Sequence, residues 1–285
     1  MNYIILDLEW DGSYCPKIGR FINQILQIGA VKLDDNFNIV DTFERTIKSS
    51  FSKKVSKRFA ELTGITKEDM LAGIPLDAAI DEYNGWVGEN AVTMTWSDSD
   101  IYTVIENEKN LVDNKFRIEK YLDLQKYIQG EMRIRGIPVT SQISLSNAAS
   151  LLDVDIDEAL LHNAKADSIA GAALLKKYYN KERFCAFIND TSTPEFFSRF
   201  TFKPYYINNI KDENIDKSVF EFCCEECGKP LKQKGKWHYH GGFVSKMVCD
   251  GCKVEYTARV KIRKLFDGVK ANRKLRKVEN KENDM

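Results

Sequence analysis

The stretch Tyr3-Ile4-Ile5-Leu6-Asp7-Leu8-Glu9-Trp10 begins as an apolar run and ends with two carboxylates that are one residue apart. Its β-branched, apolar start predicts a buried strand. Residues i and i+2 of a strand share a face, so Asp7 and Glu9 should project side by side. Two buried anions are costly unless a cation neutralises them, and oxygen ligands suit Mg²⁺ or Mn²⁺. The alternative is a solvated strand end with both acids in water.

Composition describes an ordinary globular protein. The chain has 285 residues, 43% hydrophobic and 29% charged, enough for one large or two smaller domains. The formal net charge is zero, so overall charge identifies no partner. No apolar segment reaches the length of a membrane span and no signal peptide is visible, so we expect a cytoplasmic protein without a membrane partner. The oligomeric state stays open.

Strand and helix patterns alternate through the first two thirds of the chain. Strand patterns cover Tyr3–Trp10, Gln24–Leu33, Ile39–Ile47, Ala91–Trp96 and Arg117–Leu124. Helix patterns cover Lys53–Leu62, Leu76–Val87, a segment ending near Asn110, Gln125–Arg135, Ser144–Leu152 and Asn163–Tyr179. This alternation predicts an α/β domain over residues 1–180, with a mixed sheet and helices on its faces.

Two further acids follow the predicted strand Ala91–Trp96, where a helix begins. Asp98 suits the N-cap of that helix. Asp100 shares a helical stripe with Val104, which turns it toward the sheet, where a buried carboxylate again favours a cation. The alternative is that both acids only cap the helix.

The helix pattern from Asn163 onward contains another acid on an apolar face. Asn163 is a good N-cap, and Asp167 lies on the same side as Ala170 and Leu174. His162 precedes this helix in a loop and is able to approach a site near Asp167. A lone histidine is more often structural or solvated, but this chain has only three.

These motifs together resemble the DEDDh 3′→5′ exonuclease family, which has a ribonuclease-H-like fold. The similar segments are Asp7-Leu8-Glu9, Gln27-Ile28-Gly29-Ala30-Val31, Glu61-Leu62-Thr63-Gly64-Ile65, Thr95-Trp96 with Asp100, and His162 with Asp167. The middle motif resembles the branch of eukaryotic histone-mRNA 3′ exonucleases and bacterial sporulation-inhibitor-type exonucleases. The resemblance covers about residues 1–180, and the register set by Trp96 selects Asp100 over Asp98.

The resemblance implies a metal-dependent 3′→5′ exonuclease acting on single-stranded nucleic acid, with RNA favoured over DNA. Two Mg²⁺ or Mn²⁺ ions would share four acids: Asp7 bridging both, Glu9 and Asp167 completing one site, and Asp100 supporting the other. His162 would be the general base, so activity should rise with pH, and nucleoside 5′-monophosphates would be released. Substrate contacts are predicted at Leu8, Trp10 and Trp96, although Trp10 equally suits the core.

Residues 181–218 form a connector rich in aromatic side chains. Flexible linkers are poor in aromatics, so we expect an ordered bridge packed on one or both domains. A surface on which bases stack is the alternative.

The cysteines predict a second metal site. An odd count of seven argues against a disulfide framework. Two C-x-x-C knuckles, Cys224 with Cys227 and Cys249 with Cys252, are separated by 21 residues and predict one structural Zn²⁺ in a zinc ribbon over residues 219–267. So small a domain needs the metal, which contributes on the order of 10 kcal/mol. His238 and His240 are expected on the surface, and Cys223 as a spectator.

The role of the ribbon is open. Lysines and aromatics mix around its hairpin, and residues 268–285 are expected to form a basic, polar tail. Nucleic-acid binding, protein binding or a plain solvated surface all fit this pattern. The alternative for the whole chain is a non-catalytic scaffold that binds nucleic acid or protein through the ribbon. A redox role for the C-x-x-C pairs is disfavoured because two matched knuckles indicate a closed zinc site.

Overall fold

The structure, a computed structural model, describes residues 2–139, 141–156 and 162–278. The chain divides into two compact units, residues 1–200 and 201–285. Within the described residues, no helix combines the length and the apolarity that crossing a membrane requires.

The first unit is built on a six-stranded mixed sheet in the order β3-β2-β1-β4-β5-β6. Its strands are β1 (Asn2–Cys15), β2 (Arg20–Leu33), β3 (Ile39–Thr46), β4 (Ala91–Thr95), β5 (Lys120–Asp123) and β6 (Asn189–Asp190). The first three strands are antiparallel, whereas β4 runs parallel to β1 and β5 runs parallel to β4. The predicted α/β class with a mixed sheet is confirmed.

Helices cover both faces of this sheet. They are α1 (Lys57–Thr63), α2 (Lys67–Ala72), α3 (Leu76–Val87), α4 (Ser99–Asn110), α5 (Leu124–Ile134), α6 (Leu145–Leu151), α7 (Ala164–Tyr178), α8 (Lys181–Phe187) and α9 (Pro194–Thr201). Alternation along β1 places Leu6 in one core with Ile80 of α3, and Ile5 in the other with Leu174 of α7. The side of β1 that carries Ile5 also carries Asp7.

The segment predicted as a connector is divided between the two units. Phe184 and Phe200 pack into the two cores of the first unit, and β6 pairs with β5 at the edge of its sheet. Further along, β7 (Tyr205–Tyr206) pairs with a strand of the second unit. Phe184 and Phe200 fill cores, which is the behaviour expected of an ordered segment, whereas Tyr205 and Tyr206 are exposed.

The second unit is an antiparallel sheet in the order β11-β10-β9-β8, with β7 added beside β10. Its strands are β8 (Lys232–Tyr239), β9 (Phe243–Val248), β10 (Glu255–Leu265) and β11 (Gly268–Lys277). The tail predicted from residue 268 is wrong up to Lys277, because β11 pairs with β10 over ten positions and packs Ala271 and Leu275 against the core. The rest of that predicted tail, from residue 279, lies outside the described residues.

Candidate active site and metal centre

Asp7 and Glu9 lie on β1 opposite Gly29 and Gln27 of β2, and a bulge follows Glu9. Both acids are half-buried. Neither carboxylate accepts a hydrogen bond from any residue that the structure describes. The strand therefore brings two negative charges to one partly desolvated face without a protein partner for either.

Gly29 allows the start of α7 to lie directly on β2. A Cβ atom at this position would come within 2.2 Å of the Ala164 backbone carbon, closer than real atoms approach. Two hydrogen bonds fix the contact: Ala164 N–H donates to Gln27 Oε1 (3.1 Å), and the Ser168 hydroxyl donates to the Gly29 carbonyl (3.2 Å). The absence of a side chain at Gly29 thus brings the acid of α7 to the acids of β1.

The start of α7 carries Asp167, with His162 just before it. Asn163 is the N-cap, as predicted, and its side chain accepts the Ala166 N–H (3.1 Å). His162 has a left-handed backbone (φ 68°), and its N–H donates to Asp167 Oδ2 at 3.3 Å. Potential ligand atoms of Glu9, His162 and Asp167 all lie within 4.8 Å of one another. These three predicted residues therefore meet, although their motifs lie far apart in the chain.

The structure places Asp100, rather than Asp98, with the other acids. Asp100 is 3% exposed, and its Oδ1 accepts the Leu8 N–H at 3.0 Å. Asp98 occupies the N-cap position of α4 but makes no capping hydrogen bond, contrary to the prediction. Its carboxylate instead accepts from Lys126 Nζ (2.7 Å) and the Tyr121 hydroxyl (3.3 Å). Lys126 already neutralises Asp98, whereas no cation among the described residues pairs with Asp100.

Electrostatics at this cluster favour a cation. Burial, aided by the other acids, raises the pKa of Asp7 well above its usual value. Burial also raises the pKa of Glu9 and of Asp100 to about 8. Burial raises the pKa of Asp167 too, against the opposing hydrogen bond from His162 N–H, and its buried Oδ1 has no hydrogen-bond partner among the residues that the structure describes. Four oxygen donors with uncompensated charge fit hard divalent cations.

A small cleft of about 150 Å³ lies beside Glu9 and His162. Its other walls are Trp10, Asp11, Ser56, Arg58, Phe59, Leu62 and Thr63. The buried Asp11 carboxylate accepts the Ser56 N–H at 2.7 Å, which fixes the segment leading into α1 against β1. Sequence reasoning did not assign these α1 residues to the site. The signal was present in Glu61-Leu62-Thr63-Gly64-Ile65, which we used only as a family motif.

The three predicted substrate contacts differ in their placement. Trp10 is half-buried and lines the cleft. Leu8 is 2% exposed in the core, so its predicted substrate contact is corrected: its backbone orients Asp100. Trp96 is half-buried against the core of α5 and α7, and its Nε1–H donates to the Ile143 carbonyl (3.2 Å). Trp96 thus anchors the segment before α6.

The four knuckle cysteines of the second unit come together as a separate cluster. Potential ligand atoms of Cys224, Cys227, Cys249 and Cys252 lie within 4.8 Å of one another. The two knuckles have the same turn hydrogen bond: Gly228 N–H donates to the Cys224 carbonyl (2.9 Å), and Lys253 N–H donates to the Cys249 carbonyl (2.9 Å). This cluster fits the predicted zinc ribbon.

The charge on these sulfurs also favours a metal. Sulfur crowding, led by the contact with Cys227, raises the pKa of Cys252 to about 12. The Tyr256 hydroxyl, 3.3 Å from the Cys224 sulfur, lowers the pKa of Cys224 to about 6. Four thiolates can share such a small space only around a cation, and a tetrahedral sulfur set suits zinc. His238 and His240 are exposed and lie outside the cluster.

A mixed sheet between two helix layers, with acids gathered around its central strand β1, is the arrangement of the ribonuclease-H-like nucleases. Two solved structures share this fold. The nuclease domain of 3′hExo, a DEDDh family member bound to rAMP, is 20% identical with a TM-score of 0.53, over 66% of this chain and 96% of that chain. Cell-death related nuclease 4 (CRN-4) is 17% identical with a TM-score of 0.53, over 62% of each chain.

Residues 4–175 match the exonuclease family model of the RNase T type. This chain therefore belongs to that exonuclease family, which confirms the resemblance read from the motifs. A curated relative, the PolC-type DNA polymerase III of Thermotoga petrophila, is 32% identical over 91 residues. That match covers 32% of this chain and only 6% of the polymerase.

Proposed function

We propose that the chain is a metal-dependent 3′→5′ exonuclease that releases nucleoside 5′-monophosphates from single-stranded nucleic acid, with RNA favoured over DNA. The observation that carries this proposal is the meeting of four carboxylates and a histidine from three distant segments. Membership of the exonuclease family supports the reaction class. The rAMP bound to 3′hExo supports a ribonucleotide end as the substrate.

Asp7, Glu9, Asp100 and Asp167 would hold two divalent ions, either Mg²⁺ or Mn²⁺. When bound, such ions supply a more acidic water and stabilise negative charge on the phosphate and on the leaving 3′-oxygen. The protein contributes the placement of these ligands. Leu8 N–H orients Asp100, His162 N–H orients Asp167, and the hydrogen bonds across Gly29 hold α7 on the sheet.

His162 would act as the general base. Its side chain is exposed and lies beside Glu9 and Asp167, so water can reach it while the acids stabilise the proton that it accepts. The water oxygen then attacks phosphorus, the P–O3′ bond breaks, and the 3′-oxygen leaves with a proton from solvent. The product is a nucleoside 5′-monophosphate and a chain shortened by one residue.

The cleft beside Glu9 would take the terminal nucleoside. Trp10, Phe59 and Leu62 supply apolar and aromatic surface, and Arg58 supplies a cation. Bases stack on aromatic side chains with little regard to sequence, which suits an enzyme that must accept each successive 3′ end.

The test is nucleotide release from matched RNA and DNA oligomers, single- and double-stranded and labelled at the 3′ end, with Mg²⁺ or Mn²⁺. We expect single-stranded RNA to be degraded fastest and Asp7→Ala to release nothing above background. If the intact chain released no nucleotide from any of them, the non-catalytic scaffold would be the better account.

His162→Ala separates the base from the metal ligands. We expect turnover to fall by about 10²- to 10⁴-fold. Mn²⁺ affinity, measured by calorimetry, should stay nearly unchanged, since the four acids are intact. A large loss of Mn²⁺ binding in this variant would refute the role as base and make His162 a ligand.

We also propose that the four-cysteine cluster holds one structural Zn²⁺. Metal analysis of the purified chain should find one zinc per chain. Thiol titration should count two reactive thiols before chelation, the exposed Cys185 and Cys223, and six after it, since Cys15 is buried in the first unit. Six reactive thiols in the untreated folded chain would contradict the zinc site.

A further inference from the structure

One face of the sheet in the second unit is strongly basic. Residues of β10 and β11 alternate between the two faces, so Tyr256, Ala258, Val260 and Ile262 fill the core while their neighbours point the other way. That other face, which we call the basic face, lines a shallow cavity of about 720 Å³. Its six cations are Arg259, Lys261, Arg263, Lys270, Lys274 and Arg276.

The charge of the basic face is not neutralised by the protein. Among the described residues, none of its six cations forms an ion pair, and no acid lines the cavity. Two lysines of the hairpin do form ion pairs: Lys232 pairs with Asp250 (2.5 Å) and Lys234 pairs with Glu255 (2.5 Å). Six cations without an ion pair among the described residues therefore lie side by side on β10 and β11.

The pairing of these strands sets like charges against each other. Arg259 lies directly opposite Lys274, and Arg263 directly opposite Lys270. Like charges at directly opposed positions of an antiparallel pair are destabilising. Two such pairs on one face are unfavourable for the isolated fold, and a bound polyanion would remove that repulsion.

The face also offers a flat aromatic surface. Tyr206 on β7 pairs with Arg263 in the sheet, is 56% exposed, and has the guanidinium 6.0 Å from its ring centre. Along β10, side chains on one face repeat every second residue, about every 6.8 Å. A row of cations with an exposed tyrosine beside it is the combination that binds single-stranded nucleic acid: charges for the phosphates and a ring for a base.

We infer that the basic face binds the phosphate backbone of single-stranded nucleic acid, so that the second unit holds the same strand that the first unit shortens. The choice of nucleic acid among polyanions rests on the proposed exonuclease function. Binding by the basic face needs neither the acids nor His162, so the two proposals can fail separately.

The experiment measures binding of a labelled 20-nucleotide single-stranded RNA to the full chain by fluorescence anisotropy. The Asp7→Asn background and Mg²⁺-free buffer prevent cleavage. The test variant is Lys270→Glu with Lys274→Glu, both exposed on β11. The matched control is Lys211→Glu with Lys217→Glu, which changes net charge equally at exposed positions of the same unit that do not line the cavity.

We expect the test variant to weaken RNA binding by at least about 30-fold and the control by less than about 3-fold. The slope of log affinity against log salt should fall in magnitude by about 1.4, which is about 0.7 for each lost phosphate contact. Tyr206→Ala should weaken binding by roughly 5- to 10-fold, and Tyr206→Phe should restore it, since the ring rather than the hydroxyl stacks.

Equal affinities of the test variant and the control would overturn the inference, as would tighter binding to phosphatidylserine vesicles than to RNA. A kinetic readout separates it from the exonuclease proposal. A mononucleotide nitrophenyl ester, which occupies only the active site, should be hydrolysed equally by the test variant and the parent in the wild-type Asp7 background. If RNA binding follows the expected pattern while the ester and RNA are both left intact, the exonuclease proposal fails and RNA binding by the basic face stands.

Discussion

The acid cluster of the first unit and the cysteine cluster of the second solve the same electrostatic problem by different means. Each crowds four anionic side chains into a small volume. The acids come from three segments spread over 160 residues, held in place by a large core and a close helix contact. The cysteines come from two short loops, each held by a backbone hydrogen bond within the loop. The packed core of the first unit thus holds its acids in place, whereas metal binding at the cysteines is expected to stabilise the second unit.

That difference gives the first and largest prediction. Asp7→Asn should reduce kcat on a short RNA by roughly 10³- to 10⁴-fold, because the proposed metal ligand would contribute several kcal/mol to the transition state. The metal-free variant should unfold at a higher temperature than the wild type, since a buried, repelled charge is removed. Calorimetric unfolding in chelator checks this second part.

Asp98→Asn is the matched control for that variant. It lies in the neighbouring acidic motif but is paired with Lys126. We expect its kcat to stay within about threefold of wild type, since an exposed ion pair contributes little. An equal loss of kcat in Asp98→Asn and Asp7→Asn would contradict the separation of Asp98 from the acids that are proposed to bind metal.

Gly29→Ala should have the next largest effect. A Cβ cannot fit against Ala164, so α7 must shift and carry Asp167 and His162 with it. Displacements near 1 Å cost about 10²-fold in rate, and overpacking costs about 1–3 kcal/mol of stability. Kinetics and chemical denaturation measure both effects.

Gly85→Ala supplies the comparison for a glycine without a positional role. It lies inside α3 with nothing within 4 Å of an added Cβ. The substitution should stabilise the chain by up to about 1 kcal/mol and leave kcat unchanged. If Gly29→Ala behaved in the same way, the close contact between α7 and β2 would not be what positions the site.

How much of this the sequence could predict differs between the two sites. The knuckles are visible from local spacing, and the meeting of all four cysteines follows from it. For the acids, strand and helix periodicity indicated that each faces inward, and the family order indicated that they meet. The placement of Asp98 was not predictable, because its partners Lys126 and Tyr121 come from a later strand and helix.

The second unit was predicted least well where its strands are polar. A basic segment with few apolar residues was expected to be a tail, yet Ala271 and Leu275 suffice to pack β11 against the core once β10 offers hydrogen bonds. Strand pairing between distant partners overrides weak local preference. The unpaired cations of the basic face became visible only after the sheet register separated them from the paired lysines.

The third prediction concerns the pH dependence of metal binding by the acid cluster. Glu9 and Asp100 have pKa values raised to about 8, so metal binding must displace protons below that pH. Apparent Mg²⁺ affinity should rise with pH up to about 8, by up to tenfold per unit for each proton released. Activity at limiting Mg²⁺ should follow the same rise.

Stability in chelator should change in the opposite direction. An acid whose pKa is raised in the folded state stabilises the fold at low pH, and this contribution is lost as pH rises through the folded-state value. The unfolding temperature of the metal-free first unit should therefore fall between about pH 5 and pH 8, while the stabilisation by added Mg²⁺ grows. A metal-free chain that became more stable across this range would contradict the buried-acid account.

The smallest effect on catalysis is expected from breaking the other cluster. Cys224→Ser removes one of the four sulfurs proposed to hold zinc, which would supply on the order of 10 kcal/mol to a domain of this size. The second unit should lose its fold, seen as selective proteolysis after Phe200. Cleavage of a short oligonucleotide should stay within about twofold of wild type, because the ligands and the cores that place them lie in the first unit. Cleavage of long RNA should slow through a higher KM, since the basic face is lost with its sheet. The control is Cys223→Ser, which lies outside the cluster and should leave cleavage of both substrates unchanged. If Cys224→Ser lowered kcat on the short substrate as much as Asp7→Asn does, the two units would not act as separable sites.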